Sequence, residues 1–314
     1  MRVAFFGSPE AALPAFRALL ESRHQIVLVV TQPDKPAGRG RERAASPVKQ
    51  AALDAQLPVL QPPKVREAAA IESIASCSPD VFVVVAFGQI LPQALLDVPR
   101  KGAVNVHFSL LPKYRGAAPV QWAVLNGETE TGVTVMRMDA GMDTGGILAQ
   151  EAVRIEEAED AVELETRLAG IGAALLLQTL ERLESTTVVE IPQDHSAATL
   201  APKLRKDDGR LDWNSPAAQI ARRLRALGRW PGVFFLMGNL TVKLLDGHAA
   251  PVVPQTFTVP LPGEVLAVEK AGVVVACTPG EAFTLTRVQP AGRTPMDVRS
   301  FVNGYRLAAG QMLS

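Results

Sequence analysis

Residues 1–30, MRVAFFGSPEAALPAFRALLESRHQIVLVV, carry the pattern that decides the fold. Arg2 to Phe6 is an apolar, β-rich run that stops at Gly7-Ser8-Pro9. Ala12, Phe16, Leu19 and Leu20 then recur at helical spacing, and Ile26 to Val30 is a second apolar run. Strand, helix and strand in this order form a βαβ unit. A third run, Val81 to Phe87, has Val or Phe at nearly every position, as a parallel strand covered on both faces requires. Residues 1–189 are therefore expected to form an α/β, doubly wound, Rossmann-like domain.

Further on, Leu164, Leu168, Ile171, Leu175 and Leu183 predict a helix from Asp160 to Leu183. Residues 190–206 are polar and rich in turn formers, which reads as a linker. Beyond a helix expected at Ala217 to Leu227, short β-rich runs alternate with turn signals: Val233 to Met237, Leu240 to Leu245, Gly263 to Val268, Gly272 to Ala276 and Phe283 to Val288. Strands at this spacing predict a small OB-like β-barrel over residues 207–314.

Composition narrows the function classes. The 314 residues include 47% hydrophobic and 20% charged side chains, as in globular proteins and unlike disordered or collagen-like chains. Cys77 and Cys277 stand far apart with no His or Cys beside them, so neither a disulfide framework nor a metal site is expected. The apolar stretch Val81 to Leu91 is too short to span a membrane. MRVAFFGSPE runs directly into a strand without the layout of a signal peptide, so a cytoplasmic location is expected. Gly7 lacks the further glycines of a dinucleotide fingerprint, and no phosphate loop is present.

Polar groups and turn formers are densest from Lys101 to Gly146. In the strand Ala103 to Phe108, Asn105 and His107 stand two residues apart, so the pleat puts both on one face. Ser109 to Pro112 ends the strand, leaving the pair near its carboxyl end, where open α/β sheets bind ligands. After another strand, Thr131 to Met138, a Gly-rich turn at Gly141 to Gly146 presents Asp143. An amide, an imidazole and a carboxylate brought together can polarise a carbonyl, stabilise an oxyanion and move a proton. On these residues alone, a structural histidine and an aspartate serving the turn remain open alternatives.

The run NVHFSLLPKYRGAAP from Asn105 to Pro119, with GMDTG at Gly141 to Gly145, resembles the folate-dependent formyltransferase family. The likeness covers essentially the whole chain, from FFGSP through RLDW at Arg210 to Trp213 and VQPAG at Val288 to Gly292. Within the family it is similar to the members that formylate methionyl-tRNA, through TQPDKPAGRGRERAASPVK at Thr31 to Lys49 and the C-terminal barrel. Phe108 departs from the pattern, since the family more often has a small residue or proline there.

The resemblance implies that Asn105 and His107 hold the formyl oxygen and that Asp143 fixes the imidazole's protonation and helps remove the amine's proton. It implies a folate pocket made by Phe87, Gly88, Gln89, Ile90 and Leu91 together with Ser109, Leu110, Leu111 and Pro112. The donor would be 10-formyltetrahydrofolate, used as a substrate rather than a tightly bound cofactor. The acceptor would be initiator methionyl-tRNA, and neither a metal nor a covalent enzyme intermediate is required. Members using a small amine, such as an amino sugar nucleotide, share the same core and remain the alternative acceptor class.

Charge is balanced overall, with 32 basic and 32 acidic side chains, but unevenly placed. Residues 205–314 hold 13 basic and 8 acidic side chains, a balance of +5, against −5 for residues 1–204. The segment Asp34 to Lys49 carries Lys35, Arg39, Arg41, Arg43 and Lys49 against Asp34 and Glu42. With Gly38 and Gly40 inside it, it is expected to be a mobile loop able to reach tRNA phosphates. Arg222, Arg223, Arg225 and Arg229 are expected outside the buried face of their helix as a second track. A solvated loop and a solvated helix face would look the same. With aromatics only 5% of the chain, backbone contact should outweigh base stacking. A monomer is expected.

Overall fold

The computed structural model describes residues 1–37, 42–250, 260–278 and 280–314, with backbone alone at 35–37 and 42–43. Strands β1 (Arg2–Gly7), β2 (Gln25–Val30), β3 (Val59–Leu60), β4 (Val81–Val85), β5 (Ala103–His107), β6 (Glu130–Arg137) and β7 (Ile147–Arg154) form one sheet. The helices in this stretch are α1 (Leu13–Leu20), α2 (Pro47–Asp54), α3 (Ala68–Ser76), α4 (Gln93–Leu96), α5 (Pro119–Asn126) and α6 (Ala161–Glu184). The chain divides into two compact units: Met1–Val120, Thr129–Ile155 and Glu163–Pro202 form the first, and Gln121–Glu128, Glu156–Val162 and Lys203–Ser314 the second.

In the first unit the strand order is β7-β6-β5-β4-β1-β2-β3. Strands β1 to β5 are parallel, β6 adds antiparallel to β5, and β7 adds antiparallel to β6. This is the doubly wound arrangement, with the order reversing at β1 and β4. Every residue of β4, VFVVV, is buried, which explains why it alternates no polar residue. Phe6, Phe82 and Phe87 cluster on one face with Leu28, Ile74, Leu91 and Leu95, and Phe5 meets Phe16 of α1 on the other. Helix α6 lies close over the face that carries Val106 and Val133. A Cβ at Gly172 would come 2.8 Å from Val106 Cγ1 and 3.2 Å from Val133 Cγ1, so glycine there lets the helix settle onto the sheet.

Two expectations change. The segment after Asp34 is a hairpin rather than a loop, Lys35–Ala37 pairing with Glu42–Ala44 before Ser46 caps α2. Residues 38–41, including Arg39 and Arg41, lie outside the described residues, as do the side chains of Lys35 and Arg43. Residues 190–202, expected as the first part of a linker, are tied into the first unit instead. Ile191 bridges Ile147, and Leu200–Ala201 pairs in parallel with Arg115–Gly116. The segment looked like a connection because its polar side chains other than Gln193 are mostly exposed, while its backbone pairing leaves no hydrophobic signal.

The second unit contains α7 (Ala217–Leu227), strands β8 (Val233–Met237), β9 (Leu240–Ala249), β10 (Val265–Val268), β11 (Val273–Ala276) and β12 (Ala282–Pro290), and α8 (Val298–Tyr305). The strands pair antiparallel in the order β8-β9-β12-β11-β10. Residues 310–314 close the sheet into a barrel. On one side Ser314 and Leu236 of β8 exchange backbone hydrogen bonds, and on the other Leu313 donates to Gly263 and Gly310 to Val265 of β10. Phe235, Val242, Phe283, Leu285 and Phe301 fill the interior, with Trp213 edge-on to Phe235. Cys77 and Cys277 are free, and burial pushes the Cys277 thiol up to about 11, so it stays neutral and inert near pH 7. No helix among the described residues is long and apolar enough to cross a membrane.

Leu313 is buried where the barrel closes. Leu313→Ala should therefore destabilise the second unit by about 2 to 5 kcal/mol, read as a lowered midpoint in chemical denaturation followed by Trp fluorescence.

Candidate active site

The pleat of β5 sorts its side chains. Val104 and Val106 face α6, while Asn105 and His107 share the face of Phe6, Phe82 and Val84. Phe108 follows the same alternation: its ring packs against the Gly172 position under α6. The bulky residue at 108 is therefore accommodated on the side of the sheet opposite His107.

His107 is 6% exposed, and Asn105 is half-buried. The imidazole Nε2 lies 2.9 Å from the Tyr114 carbonyl oxygen. A carbonyl only accepts, so Nε2 carries the hydrogen and Nδ1 is the nitrogen left for chemistry. Tyr114 can present that carbonyl because its backbone is left-handed (φ 61°) and its N–H donates to Thr199 Oγ1. Nδ1 faces Asp143 Oδ2 at 3.7 Å, within electrostatic range but longer than a hydrogen bond. The same Oδ2 accepts from the Gly116 N–H at 2.8 Å. Gly116 has φ +123°, and a Cβ there would stand 2.6 Å from the Ala201 carbonyl, so glycine is required for the strand of 200–201 to approach.

Ser109 to Pro112 is anchored rather than free. Thr134, which pairs with His107 across β5 and β6, donates from Oγ1 to the Ser109 carbonyl and accepts from the Leu111 N–H. Gln150 donates to both the Leu111 carbonyl and Thr134 Oγ1. Ser109 Oγ bonds the Lys113 carbonyl and Leu111 is buried, whereas Leu110 and Pro112 are half-buried. In the segment after β4, Phe87 and Leu91 belong to the core, and Gln89 donates to the Pro62 carbonyl and accepts from Val65 N–H. Gly88 is exposed and left-handed, and Ile90 is 84% exposed. Gly88 and Ile90 are therefore more open to solvent than Phe87, Gln89 or Leu91. Among the described residues, no three His, Cys, Asp or Glu side chains gather as a metal-binding group.

Residues 1–180 match the family described as formyl transferase, and residues 203–306 match its C-terminal domain. The chain belongs to the formyl transferase family. A methionyl-tRNA formyltransferase of Thiobacillus denitrificans is 47% identical over 100% of this chain and 99% of its own length. The enzyme of the same name from Geobacter sulfurreducens is 43% identical, over 100% and 96%. Two solved structures share the fold at lower identity. HypX from Aquifex aeolicus has a TM-score of 0.64 and 18% identity, covering 99% of this chain and 48% of its own. WlaRD, a sugar 3N-formyl transferase, has a TM-score of 0.63 and 17% identity, over 94% and 99%.

Within this formyl transferase chain, Arg115 and Gln193 reach the same site and were not singled out in the sequence. Both are buried, and Gln193 bonds the turn that carries Asp143. The basic residues of α7 are placed otherwise than expected. Arg223 donates to the Asp208 carbonyl, Arg225 donates to that of Glu159 at 3.0 Å, and Arg222 packs over Gly127. Burial lowers the Arg223 pKa from its ordinary value. These three side chains are half-buried rather than outside, Arg223 and Arg225 because backbone carbonyls accept from them and Arg222 by packing over Gly127, and Arg229 alone of the four is exposed. Lys49 is paired with Asp34 at 2.5 Å, and Gln61 donates to the other Asp34 oxygen, so these two charges offset each other at the base of the hairpin.

Thr134→Val keeps the shape of the side chain but leaves the Leu111 N–H and Ser109 carbonyl without their partner. Stability should fall by about 2 to 3 kcal/mol, measured by urea denaturation against the parent protein.

Proposed function

We propose that this chain transfers the formyl group of 10-formyltetrahydrofolate to the α-amino group of initiator methionyl-tRNA, giving N-formylmethionyl-tRNA for translation initiation. The observation that carries the reading is His107, committed through Nε2 to the Tyr114 carbonyl and facing Asp143 through Nδ1. The likeness to methionyl-tRNA formyltransferases at 43 to 47% identity along the whole chain supports tRNA over a small amine as acceptor.

In this reading the amine attacks the formyl carbon, and the carbonyl oxygen becomes an oxyanion. The Asn105 amide and the Nδ1–H of a protonated His107 donate to that oxygen. Asp143 stabilises the imidazolium and takes a proton from the attacking nitrogen, directly or through water. The bond from carbon to N10 then breaks, and the proton is returned to N10 as the folate leaves. Losing one preorganised donor of this kind costs about 100 to 1,000-fold in rate. The folate binds as a co-substrate along Phe87 to Leu91 and Ser109 to Pro112, with the exposed Gly88 and Ile90 nearest to it. The hairpin residues Lys35, Arg39, Arg41 and Arg43 contact tRNA phosphates, Arg222 and Arg223 being less available than they looked. The chain acts in the cytoplasm as a monomer.

Purified protein given 10-formyltetrahydrofolate should formylate initiator methionyl-tRNA in preference to the elongator form. Formylation of an amino sugar nucleotide with none of methionyl-tRNA would overturn the reading. His107→Ala and Asp143→Ala should each lower kcat by at least about 100-fold with tRNA affinity nearly unchanged. Charge reversal at Arg41 and Arg43 should raise the KM for tRNA and flatten its dependence on salt, followed in steady-state assays over a range of KCl.

A further inference from the structure

Asp143 is held at both ends, and both holds lead to one dipeptide. Its carboxylate accepts from the Gly116 N–H, while its carbonyl accepts from Gln193 Nε2 at 2.9 Å. The same Nε2 also donates to the Gly145 carbonyl at 2.7 Å, so one amide nitrogen clamps the turn on either side of Thr144. Asp143 has φ 54°, a left-handed conformation uncommon outside glycine though one that aspartate tolerates better than most.

What turns the Gln193 amide the right way round is Arg115. Its Nε and Nη2 both donate to Gln193 Oε1, at 3.1 and 2.6 Å, and Nη2 also reaches His195 Nδ1 at 3.0 Å. A guanidinium has no acceptor, so it can face only the oxygen of the amide and thereby directs the NH2 group to the two turn carbonyls. Arg115 and Gln193 are 7% and 6% exposed, which leaves water little scope to replace these bonds. Arg115 and Gly116 are adjacent, so the guanidinium, the amide, the turn and the carboxylate form a closed ring of contacts around Asp143.

We propose that Gln193, oriented by Arg115, is a positioning residue for formyl transfer that sets where the Asp143 carboxylate stands relative to His107 Nδ1. This rests on the reading of His107 and Asp143 as catalytic. Gln193 touches neither the carboxylate nor the imidazole, and acts only through the backbone of the turn.

Gln193→Glu tests it. The carboxylate keeps the acceptor for Arg115 but gives nothing to the Asp143 and Gly145 carbonyls. Expected is a drop in kcat of about 10 to 100-fold, with KM for 10-formyltetrahydrofolate and for methionyl-tRNA changed by less than about 3-fold, and a displaced acid limb in the pH profile of kcat. In an Asp143→Asn background the same change should cost less than about 2-fold, because its effect runs through Asp143. If Gln193→Glu folds poorly by circular dichroism, Gln193→Met, similar in length and uncharged, carries the same expectations. An unchanged kcat, or a full additional loss on top of Asp143→Asn, overturns the proposal. His107→Ala and Asp143→Ala assayed alongside separate the two failures. If they retain full activity the catalytic reading falls, and if they are inactive while Gln193→Glu is not, only the positioning role does.

Discussion

Strand β5 has to satisfy both of its faces within five residues. Val104 and Val106 must pack beneath α6, which approaches closely only because residue 172 is glycine, so Asn105 and His107 have no choice of side. That constraint puts an amide and an imidazole at the carboxyl end of a parallel strand, beside the crossing point of the sheet. It also explains how Phe108 is tolerated, since its ring follows the valines and leaves the face of His107 alone.

Around that strand the remaining polar contacts serve to hold backbone. Thr134 and Gln150 fix the loop after His107, Tyr114 gives a carbonyl to the imidazole, and residues 199–201 run along 115–118 to keep it there. The site therefore depends on hydrogen bonds between segments distant in sequence, in surroundings where an unmade bond is expensive.

Periodicity revealed what is periodic. The βαβ opening, the buried run of β4, the long helix α6 and the shared face of Asn105 and His107 could all be read from spacing. Arg115, Gln193, Thr134 and Gln150 could not, because a side chain that hydrogen-bonds a segment distant in sequence leaves no pattern in its neighbours. For the same reason residues 190–202 read as a linker and the arginines of α7 as an open charged face. In the first case the buried Gln193 bonds the turn of Asp143, and in the second Arg223 and Arg225 bond main-chain carbonyls, although each looked like a side chain facing water. The pairing of 35–37 with 42–44 after Asp34 was hidden because the glycines in that stretch of sequence suit a loop equally well.

The ring around Asp143 also bears on the order in which the protein is made competent. Gln193 is 50 residues from Asp143 and 78 from Arg115, and it belongs to no strand of the sheet, so strand pairing alone does not bring it to the turn. The sheet and its helices can be complete while the turn of Asp143 is still unclamped. With Gln193 in the proposed positioning role, compactness and catalytic readiness are separate achievements, and the second rests on a stretch of polar residues that follows the last strand of the sheet.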